Sequence, residues 1–446
     1  MMKRPPNILF FFPDQHRYDW TGFDIPAVRT PNLAALAARG TRFRECVVPS
    51  PLCAPCRSCL AQGVEYDRCQ TPDNAANMPL DTPNFYRLLR DAAGYDVYGV
   101  GKFDLNKGSN GRGDGQGLDG KNMLPEWGFT DGINNAGKWD AMRGAESPRD
   151  PFMHFLQERG LLATHAADMN SRRGEHRNFL NTAPSPLPED AYCDNWLAEN
   201  GREFLHNAAT DTPWFLVVNF VGPHEPVDIT ARMEASVRDR VLPPPTGSTQ
   251  YDAATHQAIR QNYTAMVENI DRWLGEYVQL LQERGEWENT VIVYSSDHGE
   301  MLGDNNLWTK KLPHHPSIAV PLIAAGPGIQ PGKTSDALVS LMDLASTFLD
   351  IAGVETPETM QSRSVLPLLQ GTTQTHRSHV YSGLGNWRSV YDGRYKLITG
   401  YTSSKESMPE TLLFDRQTDP AEQINRHGTL PEVEERLQRL LYKNSV

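Results

Sequence analysis

Apolar residues are laid out along this chain in two textures. In the first, short unbroken apolar runs alternate with longer segments whose apolar residues recur every three or four positions. "NILFFF" (7–12), "WFLVVNF" (214–220), "VIVYSS" (291–296) and "VPLIAAG" (320–326) are runs of the first kind. They are too short for helices and read as strands buried on both faces of a sheet. Tyr95–Val100 reads as another. "TPNLAALAARGTRF" (30–43) reads as a helix with Thr30 as N-cap, Pro31 in its first turn and Gly40 as its stop. "TPNFYRLLRDAAG" (82–94) repeats the device with Thr82, Pro83 and Gly94. Residues 190–208, 256–285 and 340–353 complete the helical set, the last closing at Gly353. This βα alternation predicts an α/β fold with a mostly parallel central sheet flanked by helices.

The second texture begins after about residue 365, where "SHVYSGL", "WRSVYDGRYKLITGY" and "TLLFD" alternate apolar and polar residues. Asp392-Gly393 is a type I′ hairpin signal, and a helix is expected over 430–442. The prediction is a catalytic-sized domain over 1–365 and a C-terminal subdomain over 366–446, a small antiparallel sheet with one helix. Residues 106–148, rich in Gly and Asn and without period, read as long loops.

Composition narrows the partners. The 446 residues carry a formal net charge of −12, which argues against nucleic acid or an anionic membrane as the main partner. A small anionic substrate needs only local positive charge. Lys3 and Arg4 look like the start of an export signal, but the apolar run ending at Phe12 is too short for one. No stretch is long enough to span a membrane. The expectation is a cytoplasmic protein with no membrane segment.

Three strand ends carry polar clusters: Asp14-Gln15, His224-Glu225 and Asp297-His298. Open α/β sheets collect ligands at the carboxyl ends of their strands, so these clusters mark a site. The other conspicuous feature is "CAPCRSCLAQG" (53–63), with three cysteines spaced by two residues. An iron–sulfur site lacks its fourth cysteine, since Gly63 stands at the ferredoxin spacing. A zinc site lacks a second distant pair. Disulfides among such near neighbours add little to a large core. Cys56 and Cys59 read as small core residues, while the residues that follow Cys53 set it apart.

"CAPCR" resembles the Cys-x-Pro-x-Arg signature of the type I sulfatases, formylglycine-dependent members of the alkaline phosphatase superfamily that include the related phosphonate monoester hydrolases. Here Cys56 stands where the usual signature has serine. "PNILFFFPDQ", "YGVGK", "VGPHEP", "SSDHGEMLGDNNLWTK", "YDGRYKLI" and "LFDRQTDPAE" resemble further family motifs, in family order. The resemblance implies that a maturation enzyme oxidises Cys53 to formylglycine, whose gem-diol is the nucleophile. It implies a divalent metal on Asp14, Gln15, Asp297 and His298. An oxygen-rich donor set favours Ca2+, and the imidazole also admits Mn2+. Arg57, Lys102 and Lys310 are implied to bind the nucleophile and the sulfate, and His224 to contact the sulfate or protonate the leaving oxygen. Where many relatives have histidine two residues after the Gly-Lys lysine, this chain has Asp104. That substitution suggests a pairing with Lys102 and leaves His314 or His315 to fill the space. The function implied is hydrolysis of a small anionic sulfate ester with release of inorganic sulfate. The alternatives are a phosphonate monoester hydrolase or phosphodiesterase with the same machinery, and a non-catalytic anion-binding relative. Loops within 106–180 and the C-terminal subdomain are expected to shape the pocket.

Overall fold

The computed structural model describes residues 4–110, 116–118, 121–144, 148–174, 177–403, 408 and 410–444. Lys3 and part of the Gly- and Asn-rich stretch therefore lie outside the described residues. In chain order the strands are β1 (Asn7–Phe11), β2 (Gly40–Phe43), β3 (Cys46–Val47), β4 (Asp96–Gly101), β5 (Asp131–Asn134), β6 (Trp214–Asn219), β7 (Thr290–Tyr294), β8 (Leu322–Ala325), β9 (Lys333–Ser335), β10 (Val339–Ser340), β11 (Val380–Leu384), β12 (Trp387–Tyr391), β13 (Tyr395–Tyr401) and β14 (Glu410–Asp415).

Eight of them form the main sheet in the order β5-β4-β6-β1-β7-β8-β2-β9. The pairings β5–β4–β6–β1–β7 are parallel, while β8 runs antiparallel to both β7 and β2. The mostly parallel sheet is thus as expected, with one reversed strand that the apolar run 320–326 did not announce. Residues of β1 alternate between two apolar layers: Ile8 and Phe10 join the cluster on one face, Leu9 and Phe11 that on the other. Burial on both faces is why this strand is apolar throughout. Helices cover both faces: Cys193–Asn207 and Ala253–Glu283 pack on the Leu9 and Phe11 side, and Phe85–Asp91 and Asp343–Ile351 on the Ile8 and Phe10 side.

The two expected caps are placed differently. The helix Pro31–Ala38 begins after Thr30, but the Thr30 side chain makes no cap bond and its Oγ1 accepts instead from Gly22 N at 2.9 Å. Its first turn is capped from outside: Asp271 of the long helix accepts from Leu33 N at 2.7 Å and Asn32 N at 3.2 Å. Gly40 opens β2 rather than merely ending the helix, and a Cβ there would meet Ala324 O at 2.0 Å. At the second site Asn84, not Thr82, caps the helix Phe85–Asp91, accepting from Arg87 N at 3.0 Å. The stretch expected as loops contains short elements, including Leu124–Trp127, β5 and Lys138–Ala141.

After residue 365 the chain forms the antiparallel sheet β11-β12-β13-β14, with the helix Pro431–Asn444 against it. The hairpin turns at Gly393-Arg394, one residue later than the Asp392-Gly393 signal, since Asp392 N donates to Tyr395 O at 3.2 Å. Tyr391 pairs with Lys396, and Asp392 Oδ1 accepts from the N–H groups of Arg394 and Tyr395 at 3.0 and 2.7 Å. Among the described residues no helix is long and apolar enough to cross a membrane.

Candidate active site

Four neighbouring strands, β4, β6, β1 and β7, end side by side at one edge of the sheet. Their carboxyl ends deliver Lys102, Asn219, Asp14 and Asp297 in a row, as open parallel sheets do with functional residues. Gly101 (φ +102°) permits the close approach of β4 to β6, since a Cβ there would fall 1.9 Å from Asn219 O.

Cys53 faces this row as the first residue of the helix Cys53–Gln62. Its Sγ lies 3.3 Å from both Lys102 Nζ and His298 Nε2. Asn74 Oδ1 accepts from Ala54 N at 3.1 Å and ties down the start of that helix. Burial, the largest influence, and Asp14 push the Cys53 thiol up, but Lys102, Lys310 and His298 together hold it well below the ordinary cysteine value. Burial instead drives Cys56 and Cys59 well above it. All six cysteines are buried and unbridged.

Arg57, one turn along the helix, is buried at the centre of the row. Its Nε donates to Asp297 Oδ2 at 2.9 Å, and its other nitrogens reach Lys102 O, Asn219 Oδ1 and Asp14 Oδ2 at 2.5, 3.0 and 3.3 Å. A rigid five-donor fork suits four acceptors at once. Lys102 Nζ also bonds Asp14 Oδ2 and lies 3.3 Å from Asp104 Oδ2. Asp104 (φ +53°) is thus paired with Lys102 and, at 2.6 Å, with Lys107.

Asp14, Cys53, Asp297 and His298 each offer a ligand atom, all within 4.8 Å of one another. Two features suit a cation there. Asp14 Oδ1 is fully buried and has no hydrogen-bond partner, which is costly unless a ligand supplies one. His298 Nδ1 lies 3.1 Å from Gly299 O. A carbonyl can only accept, so Nδ1 carries a proton there and Nε2, 3.5 and 3.6 Å from Asp14 and Asp297, is the nitrogen that faces the cluster and could ligate once deprotonated.

Gln15 is more elaborately held. Its backbone is left-handed (φ +70°) and its N–H donates to Asp297 Oδ1 at 3.1 Å. Its Nε2 donates to Glu225 and Glu300, and its Oε1 accepts from Lys310 Nζ at 2.7 Å. An amide oxygen has a second lone pair, so that bond does not prevent ligation.

His224 Nδ1 lies 2.6 Å from Glu225 O, which leaves its Nε2 edge for the cavity. Lys138 fixes this loop by donating to His224 O, Pro226 O and Asp228 Oδ1 at 3.1, 3.0 and 2.6 Å. These groups wall a cavity of about 310 Å³ that contains Cys53, Lys102, His224 and Lys310.

All nine candidate residues therefore meet at one edge of the sheet. His314 and His315 do not. His315 Nε2 accepts from Arg416 at 2.8 Å and His314 lies 3.4 Å from Glu422, in a cluster beneath the C-terminal sheet. Among the described residues that sheet does not line the cavity either: the walls come from residues between 53 and 311, with Lys107, residues 137–140 and Arg143 contributing from the expected loops. Sequence reading missed Asn74, Lys138 and Asn219. Asn219 was discoverable as the one polar residue inside the apolar run 214–220; the other two carry no local signal.

The Sulfatase family model matches residues 6–354, and a model described as N-sulphoglucosamine sulphohydrolase, C-terminal, matches 303–445. The chain belongs to the sulfatase family, and with its sulfatase relatives this makes it a sulfuric ester hydrolase. An N-acetylglucosamine-6-O-sulfatase of Bacteroides thetaiotaomicron is 25% identical over 95% of this chain and 83% of its own. A choline-sulfatase of Rhizobium meliloti is 27% identical over 94% and 82%. Among solved structures, a phosphonate monoester hydrolase of Agrobacterium radiobacter superposes with a TM-score of 0.80 at 21% identity, covering 99% of this chain and 95% of that one. A protein solved with its substrate D-glucosamine-2-N,6-O-disulfate gives 0.78 at 20% identity, covering 99% and 97%.

Proposed function

We propose that this sulfatase cleaves its ester with a formylglycine made from Cys53, beside a divalent cation held by Asp14, Gln15, Asp297 and His298. The observation that carries the reading is the setting of Cys53: a buried side chain at a helix start, 3.3 Å from a lysine ammonium and 3.3 Å from an imidazole nitrogen that also faces two carboxylates.

A hydrated aldehyde at this position supplies one hydroxyl to attack sulfur and a second whose deprotonation expels sulfate as the carbonyl re-forms. A divalent cation supplies acidity to the attacking hydroxyl and offsets charge on the sulfate oxygens. Two carboxylates and an amide oxygen favour Ca2+, with Mn2+ admitted by the imidazole. Arg57 holds Asp14 and Asp297 in place and balances their charge. Lys102 and Lys310 face the cavity from either side of Cys53, where they can meet the equatorial oxygens of a sulfate. His224 presents Nε2 to the cavity and is the residue placed to give a proton to the leaving oxygen. Asp104 orients Lys102 and Lys107 rather than taking the place of a second histidine.

The test has three arms. Mass spectrometry of the Cys53 peptide from the native host should show loss of sulfur and two hydrogens with gain of one oxygen. Cys53→Ala should abolish aryl sulfate hydrolysis, by at least about 10³-fold. Chelation should do the same, with Ca2+ restoring turnover. An unmodified thiol, or turnover that survives both treatments, refutes the mechanism. The Asp-Gln and Asp-His donor pairs equally serve phosphonate monoesters and phosphodiesters, each also singly charged. Side-by-side kcat/KM values for aryl sulfate, phosphonate and phosphodiester decide between them.

A further inference from the structure

The cavity that holds Cys53 continues past the place for sulfate. A second hollow of about 420 Å³ opens beside it, and Trp139 and Arg143 wall both. Arg173 lines the second hollow, with its guanidinium 5.9 Å from the centre of the Trp139 ring.

Most cations around these two hollows already have carboxylates. Lys102 and Lys107 share Asp104, Lys138 holds Asp228 at 2.6 Å, and Arg172 holds Asp168 at 3.0 Å. Arg143 and Arg173 are different. Arg143 reaches Asp140 at 3.4 Å, but Lys107 holds that same carboxylate at 2.9 Å. Among the described residues no carboxylate lies within 4.0 Å of the Arg173 guanidinium. A sulfate ester has one negative charge, and Lys102 and Lys310 stand beside Cys53 to receive it. Two further arginines there exceed what one sulfate requires. Solvated surface arginines would be scattered. These two flank an indole in a concavity continuous with the reaction site, and an indole face is a platform for a ring. Guanidinium groups pair with sulfate or carboxylate through two parallel hydrogen bonds.

We propose that the leaving group is a ring bearing a second anionic substituent, sulfate or carboxylate, which lies over Trp139 with that anion between Arg143 and Arg173. This rests on the assignment of Cys53 as the reacting residue. Sugar and aryl rings share the chemistry, so both belong in the test.

The test is equilibrium binding to the mature, Ca2+-loaded protein at low ionic strength. One pair of ligands is benzenesulfonate and benzene-1,3-disulfonate, which cannot be turned over; the other is glucose 6-sulfate and glucose 3,6-disulfate, measured on C53A so that the esters stay intact. Two partly exposed charge contacts of ordinary strength correspond to roughly tenfold tighter binding of the dianion. The ratio should shrink towards unity near 1 M salt and in the double variant R143A/R173A, and should largely persist in R143K/R173K. Preference in one pair alone supports the proposal and identifies the ring. Equal affinities in both pairs, or a preference that survives R143A/R173A, overturns it. Binding is read apart from turnover: hydrolysis without the preference would overturn this proposal and leave the catalytic reading standing, whereas dianion preference without hydrolysis would refute the catalytic reading and with it the assignment of the ring as a leaving group.

Discussion

Cys53 and Cys56 sit less than one turn apart on one helix, yet their surroundings oppose each other. Cys53 meets Lys102, Lys310 and His298; Cys56 lies in the apolar layer under the sheet. The sequence separates the two through the proline and arginine around them, not through the cysteines themselves. A residue that no sequence pattern singles out is Glu65. It is buried, and its Oε2 has no hydrogen-bond partner. Burial pushes its carboxyl up to about 7, with Arg377 pulling the other way. The folded state therefore favours the proton. The stability this gives is complete below the ordinary value of 4.5 and is lost as pH rises through about 7. Glu65→Gln removes that titration. Between pH 5 and 8 the wild type should lose about 3 kcal/mol relative to the variant, measured by denaturant unfolding. A constant difference across that range would show that Glu65 is ionised in the fold.

At the scale of elements, the runs that read as strands are strands because continuous apolar sequence has no polar face to offer water. The same property hides direction, which is why β8 gave no hint that it runs against its neighbours. Helix ends were less legible. Thr30 has the residue type of a cap, but the helix Pro31–Ala38 takes its acceptor from Asp271, more than 200 positions along the chain. A tertiary cap leaves no local signature. Asp271→Ala should therefore destabilise the protein by about 1–2 kcal/mol, the usual worth of a lost cap. Thermal unfolding checks the size, and hydrogen exchange at Asn32 and Leu33 checks the place. Slow exchange retained there would mean that the first turn does not depend on Asp271.

The whole molecule divides its labour in a way the chain order conceals. Polar residues at strand ends were readable as a site because a parallel sheet brings its carboxyl ends together. The part of the C-terminal sheet was not, since it acts at one remove. Its Trp387 Nε1 donates to Lys311 O at 3.3 Å, and Lys396 Nζ donates to Pro313 O at 2.7 Å. These bonds grip the segment that carries Lys310. Beneath them Glu422 lies 2.6 Å from Lys396 Nζ and 3.2 Å from Arg416 Nε, all three side chains buried. Glu422→Gln strands two cations in the interior and should cost about 3–5 kcal/mol. Below its lowered Tm the variant should also hydrolyse sulfate esters more slowly, although residue 422 lines no part of the cavity. Unchanged kcat/KM in a destabilised variant would separate the two ends of the chain. The grip on Lys310 turns the far end of the chain into a gauge: a nick or oxidised side chain in the C-terminal strands would register first as slackened turnover, while the residues packed around Cys53 still stood intact.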